Sequence, residues 1–158
     1  MSAMLQPGPQ LRAIEYGDLE AVLAVERAAY GFPWTLGNFV DSLAAGYLAE
    51  MLVDDRLGLV GYYVAMAGVG EMHLLNLTVT PAQQRRGHSR TLLDALVGRC
   101  RDQGLATLWL EVRASNVRAR HVYARRGFAE VGLRRGYYPA GKAQREDAIV
   151  MSLPLGEG

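Results

Sequence analysis

The chain has a single cysteine, Cys100, so no internal disulfide can staple the fold. No apolar run approaches the ~18 residues needed to cross a bilayer. The first residues lack the charged and apolar pattern of a signal peptide, so a cytoplasmic protein that stays out of the membrane is expected. Charge of one sign is also scarce: 17 basic residues against 16 acidic ones leave a net charge of +1. Such a molecule has no global field to hold a polyanion, and no direct nucleic-acid binding is expected. No His/Cys/Asp/Glu cluster has ligand spacing, so no metal is expected. Repeats, low-complexity tracts and linkers are missing as well. With 158 residues and 50% hydrophobic content, the chain suits one compact domain with a full core. Residues 1–10, with two prolines and a glycine, read as a loose leader, and residues 11–155 as that domain.

The pattern along the chain alternates strand and helix signals. Leu11 to Ile14 reads as a short strand. Asp18 can cap a helix that turns Leu19, Val22, Leu23 and Val25 to Ala29 inward and stops at Gly31-Phe-Pro33, and Thr35 caps a second helix ending at Gly46. Leu48 to Val53, Leu57 to Ala67 and Met72 to Val79 are rich in strand formers and read as an antiparallel meander. A long helix from Gly87 to Gln103 ends at Gly104. Its apolar stripe of Leu92, Leu93, Leu96 and Val97 takes in Cys100, which reads as core. Thr107 to Val112 follows as a strand parallel to its neighbour, because a helix joins the two. Ser115 or Asn116 caps a helix ending at Gly127, and Ala129 to Tyr137 and Ala148 to Leu153 complete the sheet.

The most informative stretch is Leu77 to Leu93, where an apolar strand runs into a basic, glycine-containing turn that opens the long helix. Backbone N–H groups at a helix start have no intrahelical acceptor, and the helix dipole adds partial positive charge there. An anion is therefore expected on Arg86, Gly87, His88 and Ser89. The spacing is neither GxxxxGK nor GxGxxG, which argues against a phosphate-loop or dinucleotide site.

Gln84-Arg-Arg-Gly-His-Ser89 resembles the acetyl-CoA pyrophosphate loop of the GCN5-related N-acetyltransferases (GNAT), usually Gln/Arg-x-x-Gly-x-Gly/Ala. Leu108-Trp-Leu-Glu-Val-Arg-Ala-Ser-Asn116, Tyr123, Gly127-Phe128, Tyr137-Tyr-Pro139 and Glu146-Asp-Ala-Ile149 follow in order. Together these are similar to the RimI-type ribosomal-protein alanine N-acetyltransferases, over about residues 11 to 155. Ser89 departs from the usual glycine or alanine, though a hydroxymethyl group is small enough to keep the loop. The resemblance implies an α/β (α+β) acyl-CoA N-acyltransferase fold. That fold has a mixed, mostly antiparallel sheet of about seven strands with a central splayed parallel pair, flanked by about four helices. It also implies acetyl-CoA as co-substrate, with its diphosphate on Arg85, Arg86, Gly87, His88, Ser89 and Arg90. The backbone of Leu77, Thr78 and Val79 would serve its pantetheine arm and thioester carbonyl, and Asn116 would make a polar contact to that arm.

Acetyl transfer to an amine needs a neutral nitrogen, a route for its proton and a proton for the departing thiolate. An α-amine, with a pKa near ~7.7 to 8.0, is easier to deprotonate than lysine near ~10.4. Glu111 alternates with Leu110 and Val112, a strand position where an ionised carboxylate is costly unless used or paired. The resemblance makes Glu111 the general base, acting through water; pairing with Arg113, two residues on and on the same face, is the other reading. His73 is a rival base. Tyr123 is in phase with the apolar positions of its helix and so reads as a core aromatic, whereas the resemblance makes it the general acid.

Phe32-Pro-Trp34 and Tyr137-Tyr-Pro139 are rigid aromatic loops that in this fold flank the acceptor groove, which favours a peptide. The resemblance implies the N-terminal segment of a ribosomal protein as partner, with Glu146-Asp147 or Glu26 drawing a basic tail unless these are plain surface charges. An acetyltransferase for a small-molecule amine, and a non-catalytic coenzyme A-binding module, are the alternatives.

Overall fold

The computed structural model describes residues 8–156. Of the leader expected over residues 1–10, Met1 to Pro7 lie outside the described residues, and Gln10 already opens the first strand. The elements run β1 (Gln10–Ala13), α1 (Leu19–Ala29), α2 (Leu36–Ala44), β2 (Leu48–Asp54), β3 (Gly58–Ala67), β4 (Glu71–Val79), α3 (His88–Asp102), β5 (Thr107–Arg113), α4 (Val117–Arg126), β6 (Ala129–Ala140) and β7 (Gln144–Pro154). The strands form one seven-stranded sheet in the order β1-β2-β3-β4-β5-β7-β6. β4 and β5 are parallel, with Glu71 to Leu74 in register with Thr107 to Leu110. β1 pairs antiparallel with β2, β5 with β7, and β6 with β7. This is the mixed sheet with a parallel pair that the resemblance implied. The chain divides into two compact units, one drawn from the chain up to Val64 together with Asn76–Leu92, the other from Ala65–Leu75 and the chain from Leu93 onward.

In the first unit, α1 turns Leu19, Val22, Leu23 and Glu26 inward, the spacing of one helical face. α2 starts on the expected Thr35, whose hydroxyl accepts from the Asn38 N–H while the Asn38 amide oxygen accepts from the Thr35 N–H. Its Phe39 is buried between Trp34 (5.1 Å between ring centroids) and Tyr62 (5.9 Å). α2 stops two residues before Gly46, which closes the end at φ 80. Asp18 does not cap α1 through its side chain. Its carboxylate instead accepts from the Glu15 N–H at 2.8 Å and from Arg12, closing a short 3-10 turn one step earlier. Arg12 therefore holds the Asp18 carboxyl below the usual carboxylate range. Gly61 permits close packing, since a Cβ there would meet Thr78 O at 2.7 Å and Leu92 Cδ1 at 3.1 Å.

In the second unit, β5 alternates strictly: Leu108, Leu110 and Val112 are buried, while Trp109, Glu111 and Arg113 face the other way. Leu93, Leu96, Val97 and Cys100 of α3 are buried, as the apolar stripe predicts, and burial pushes the Cys100 thiol up to about 11. α4 is capped by Asn116, whose amide oxygen accepts from the Ala119 N–H at 3.1 Å, and it ends at Gly127 with φ 112. β6 and β7 extend further than expected, to Ala140 and back to Gln144, making one long hairpin with Pro139 opposite Arg145. Pro139 and the charged residues of Arg145-Glu-Asp147 read as the end of a strand. Pro139 is tolerated because β6 is the edge of the sheet, where one row of N–H groups needs no partner, and Arg145 to Asp147 lie beyond Ala148, where the pairing of β7 with β5 stops.

Candidate functional site

The first unit contains the turn expected to seat an anion. Arg85 has φ 66 and Gly87 φ 85, so two residues of Gln84 to Gly87 adopt the left-handed conformation that folds successive N–H groups toward one point. α3 begins at His88, and the N–H groups of His88, Ser89 and Arg90 lie in its first turn, where no helical acceptor exists. Arg85, Arg86, Gly87 and Arg90 are exposed, and His88 and Ser89 are half-buried. A backbone cradle flanked by permanent cations fits a diphosphate. The end of β4 is less open than expected. Leu77 O accepts from the Tyr30 hydroxyl at 3.2 Å, and Val79 O accepts from the Gln84 side-chain amide at 3.2 Å, so two of the three carbonyls already have a donor.

Behind that strand lies a buried polar network. Glu26, 2% exposed, accepts from the Tyr62 hydroxyl at 2.5 Å, the Asn76 amide at 3.0 Å and the Trp34 backbone N–H at 2.9 Å. Asn76 accepts from the Thr78 hydroxyl at 2.7 Å, and the Tyr30 hydroxyl lies 2.8 Å from Thr78 Oγ1. The side chain of Tyr30 is 39% exposed, yet its hydroxyl is turned inward, and burial of that hydroxyl pushes it up to about 12. Glu26 is therefore not a surface charge open to a basic tail. It ties the Phe32-Pro-Trp34 loop to β3 and β4.

The second unit contains the candidate base. The Glu111 side chain is 6% exposed, with Oε1 2.7 Å from His73 Nε2 and Oε2 3.0 Å from Arg134 Nε. Arg113, the other reading's partner, bonds Pro139 O at 2.8 Å and Glu146 at 3.1 Å and lies over the Tyr138 ring. His73 stacks flat on Trp109, the residue in register with it, with centroids 3.7 Å apart and planes 7° apart. The Trp109 Nε1–H is buried without an acceptor among the described residues. Burial and the Glu111 charge push the Tyr137 and Tyr138 hydroxyls up. Tyr123 is half-buried and meets Phe128 edge-on at 5.6 Å. Asn116 is committed to the cap of α4, with its amide group exposed. Glu146 and Asp147 are also committed: Glu146 holds Arg113 and the Ser115 N–H, and Asp147 holds the Gly136 N–H.

Arg134, Tyr30 and Asn76 were not foreseen as site residues. Arg134 lies on β6, two strands from Glu111. It reaches Glu111 because β7 lies between β5 and β6, and the residue there in register with both Arg113 and Arg134 is the small Ala148. Among the described residues, no group of three or more His, Cys, Asp or Glu side chains is gathered to hold a metal ion. No helix there is long and apolar enough to cross a membrane.

The acetyltransferase (GNAT) family profile matches residues 18–128. The chain belongs to the GNAT acetyltransferase family. It is 38% identical over 145 residues to the ribosomal protein bS18-alanine N-acetyltransferase of Escherichia coli K12, covering 92% of this chain and 97% of that one. The protein of the same name from Salmonella typhimurium LT2 is 40% identical over 139 residues, covering 87% and 92%. The crystal structure of the ribosomal-protein-S18-alanine N-acetyltransferase from E. coli superposes with a TM-score of 0.86 at 37% identity, covering 94% of each chain. This acetyltransferase is thus an acyltransferase of the RimI type.

Proposed function

We propose that this acetyltransferase moves the acetyl group of acetyl-CoA to the free N-terminal α-amine of a protein, the N-terminal alanine of a small-subunit ribosomal protein. The relatives named for that activity match nearly their whole length, which supports the acceptor. The observation that carries the chemistry is Glu111, a carboxylate 6% exposed yet held at both oxygens. An ionised carboxylate is expensive to bury and is retained where it is used or firmly paired. When bound, acetyl-CoA supplies an acetyl group activated as a thioester.

Each candidate residue has a distinct task. The N–H groups of Gly87, His88 and Ser89, with the guanidinium groups of Arg85, Arg86 and Arg90, hold the diphosphate. The main chain of Leu77, Thr78 and Val79, and the exposed amide of Asn116, align the pantetheine arm. Glu111 receives the amine's proton at a carboxylate oxygen through water, and the Tyr123 hydroxyl gives its proton to the departing sulfur. The Phe32-Pro-Trp34 loop and Tyr137-Tyr138 border the acceptor peptide. Glu26, Glu146 and Asp147 are all committed to internal hydrogen bonds, which leaves little free acidic charge for a polyamine.

The test is to incubate the protein with acetyl-CoA and a library of peptides with free N-termini, and to read the products by mass spectrometry. Acetylation at the α-amine of alanine-starting peptides is the expected result. Thiol release with small amines alone, or coenzyme binding with no transfer, would overturn it.

A further inference from the structure

His73 and Glu111 form a pair whose geometry exceeds what packing requires. The two side chains come from adjacent parallel strands and meet at 2.7 Å, with side-chain exposures of 13% and 6%. The imidazole is held flat on the Trp109 ring, so its plane is fixed and Nε2, not Nδ1, is aimed at Oε1. At that separation a proton must lie between nitrogen and oxygen, because a bare imidazole lone pair would repel a carboxylate. Glu111 thus carries two different donors. Arg134 on Oε2 is a permanent cation, whereas His73 on Oε1 is the one side chain type whose charge ordinarily changes near neutrality.

We propose that His73 is a positioning residue of the base: its Nε2–H fixes the Glu111 carboxylate in one orientation and supports its charge until Glu111 takes the proton of the acceptor amine. This rests on the reading of Glu111 as base. In the transfer, the bond from the amine nitrogen to the carbonyl carbon forms and the carbon–sulfur bond breaks. The amine's proton passes through water to Glu111 and the Tyr123 proton passes to sulfur. Solvent then takes the first proton and restores the second. The charged and titratable groups around the imidazole are Glu111 on β5, Arg134 on β6, Glu71 two residues earlier on β4, and Tyr137 and Tyr138, whose hydroxyls sense the Glu111 charge.

Two variants and one spectrum test this. His73→Ala should lower kcat at least roughly tenfold, a fraction of what a whole general base contributes, with KM for acetyl-CoA unchanged. His73→Gln, whose amide can donate to Glu111 but cannot carry a proton, should recover part of the lost rate. Its kcat should keep a different pH dependence from the wild type on the acid side. Nitrogen-15 NMR of the unliganded wild-type protein should show the Nε2–H form of His73. Wild-type rates and pH profiles in both variants would overturn the proposal, as would an Nδ1–H form of His73. If the wild type transfers no acetyl group to any amine, the base reading fails and this proposal falls with it. The imidazole signals, read without turnover, distinguish that failure from loss of the His73 contact itself.

Discussion

The carboxylate of Glu26 on α1 accepts the backbone N–H of Trp34 at 2.9 Å, so a residue inside one helix holds the end of the loop that leads into the next. The same carboxylate receives Tyr62 and Asn76. Glu26→Ala would strand three buried donors at once. Because each unsatisfied buried donor costs about 1–3 kcal/mol, a total loss on the order of 3 kcal/mol or more is expected. Urea unfolding measures it; a change below about 0.5 kcal/mol, typical of plain surface sites, would mean the network contributes nothing.

Tyr123 separates the core reading from the catalytic one. Tyr123→Phe keeps the ring that meets Phe128 edge-on and removes only the hydroxyl. If that hydroxyl is the acid, kcat should fall by roughly 10²-fold. The acetyl-CoA affinity should stay put, and steady-state kinetics with a peptide acceptor decides between the two.

One substitution should act in opposite directions at two glycines flanking and within α3. Gly87 has φ 85, and a Cβ there would touch nothing within 4 Å, so Gly87→Ala is strained by conformation and not by collision. Holding alanine there costs roughly 1–2 kcal/mol. Calorimetry should find acetyl-CoA binding weakened by about 5- to 30-fold. Gly98 lies inside the helix with equal space and ordinary dihedrals, so Gly98→Ala should stabilise the protein by about 0.5–1 kcal/mol.

At Gly61 the obstacle is collision. A Cβ would lie 2.7 Å from Thr78 O, a backbone atom that cannot rotate away, so Gly61→Ala must shift β3 from β4. Overpacking of this kind costs about 1–3 kcal/mol. Thermal melting should show it; an unchanged melting temperature would mean that the strands give way freely.

Glu146 supplies a pH signature. Ser115, through its hydroxyl and N–H, and the Arg113 guanidinium hold its carboxyl below the ordinary value of 4.5. A carboxyl lowered on folding stabilises the native state while it is ionised in both forms. That contribution is present above about pH 4.5 and is lost as pH falls through the folded value. Glu146→Gln should therefore be less stable than wild type at neutral pH, and the gap should close as pH falls below 4.5. A gap independent of pH would contradict this.

Features governed by local chemistry were legible in the sequence. Thr35 caps α2, Asn116 caps α4, and Gly127 ends α4, because each depends on a few adjacent backbone groups. Trp109 and Glu111 alternate with buried leucines because a strand side chain has only two faces to choose from. The anion turn was legible for a similar reason, although the left-handed Arg85 beside Gly87 was not. What depends on distant partners stayed hidden. Glu26 looked like a surface charge because nothing within α1 shows that Tyr62 and Asn76 converge on it. Glu111 was set against Arg113 because they are near in sequence, whereas the sheet order supplies Arg134 from a strand two places away. Asp18 has the right residue type for a cap, but a neighbouring guanidinium and an earlier turn claim its oxygens.

The free border of the sheet has a consequence for the molecule in a crowded solution. β6 lies at that border, and an open row of amides there would template another chain and begin a fibre. Its pairing with β7 shifts register between Glu130 and Gly132 and again between Arg134 and Tyr138, which bends the border out of a straight line. Pro139 offers no amide proton, and Arg134 and Arg135 place like charges where two such borders would have to meet. A twelve-residue strand that would otherwise recruit its own kind is blunted along its length.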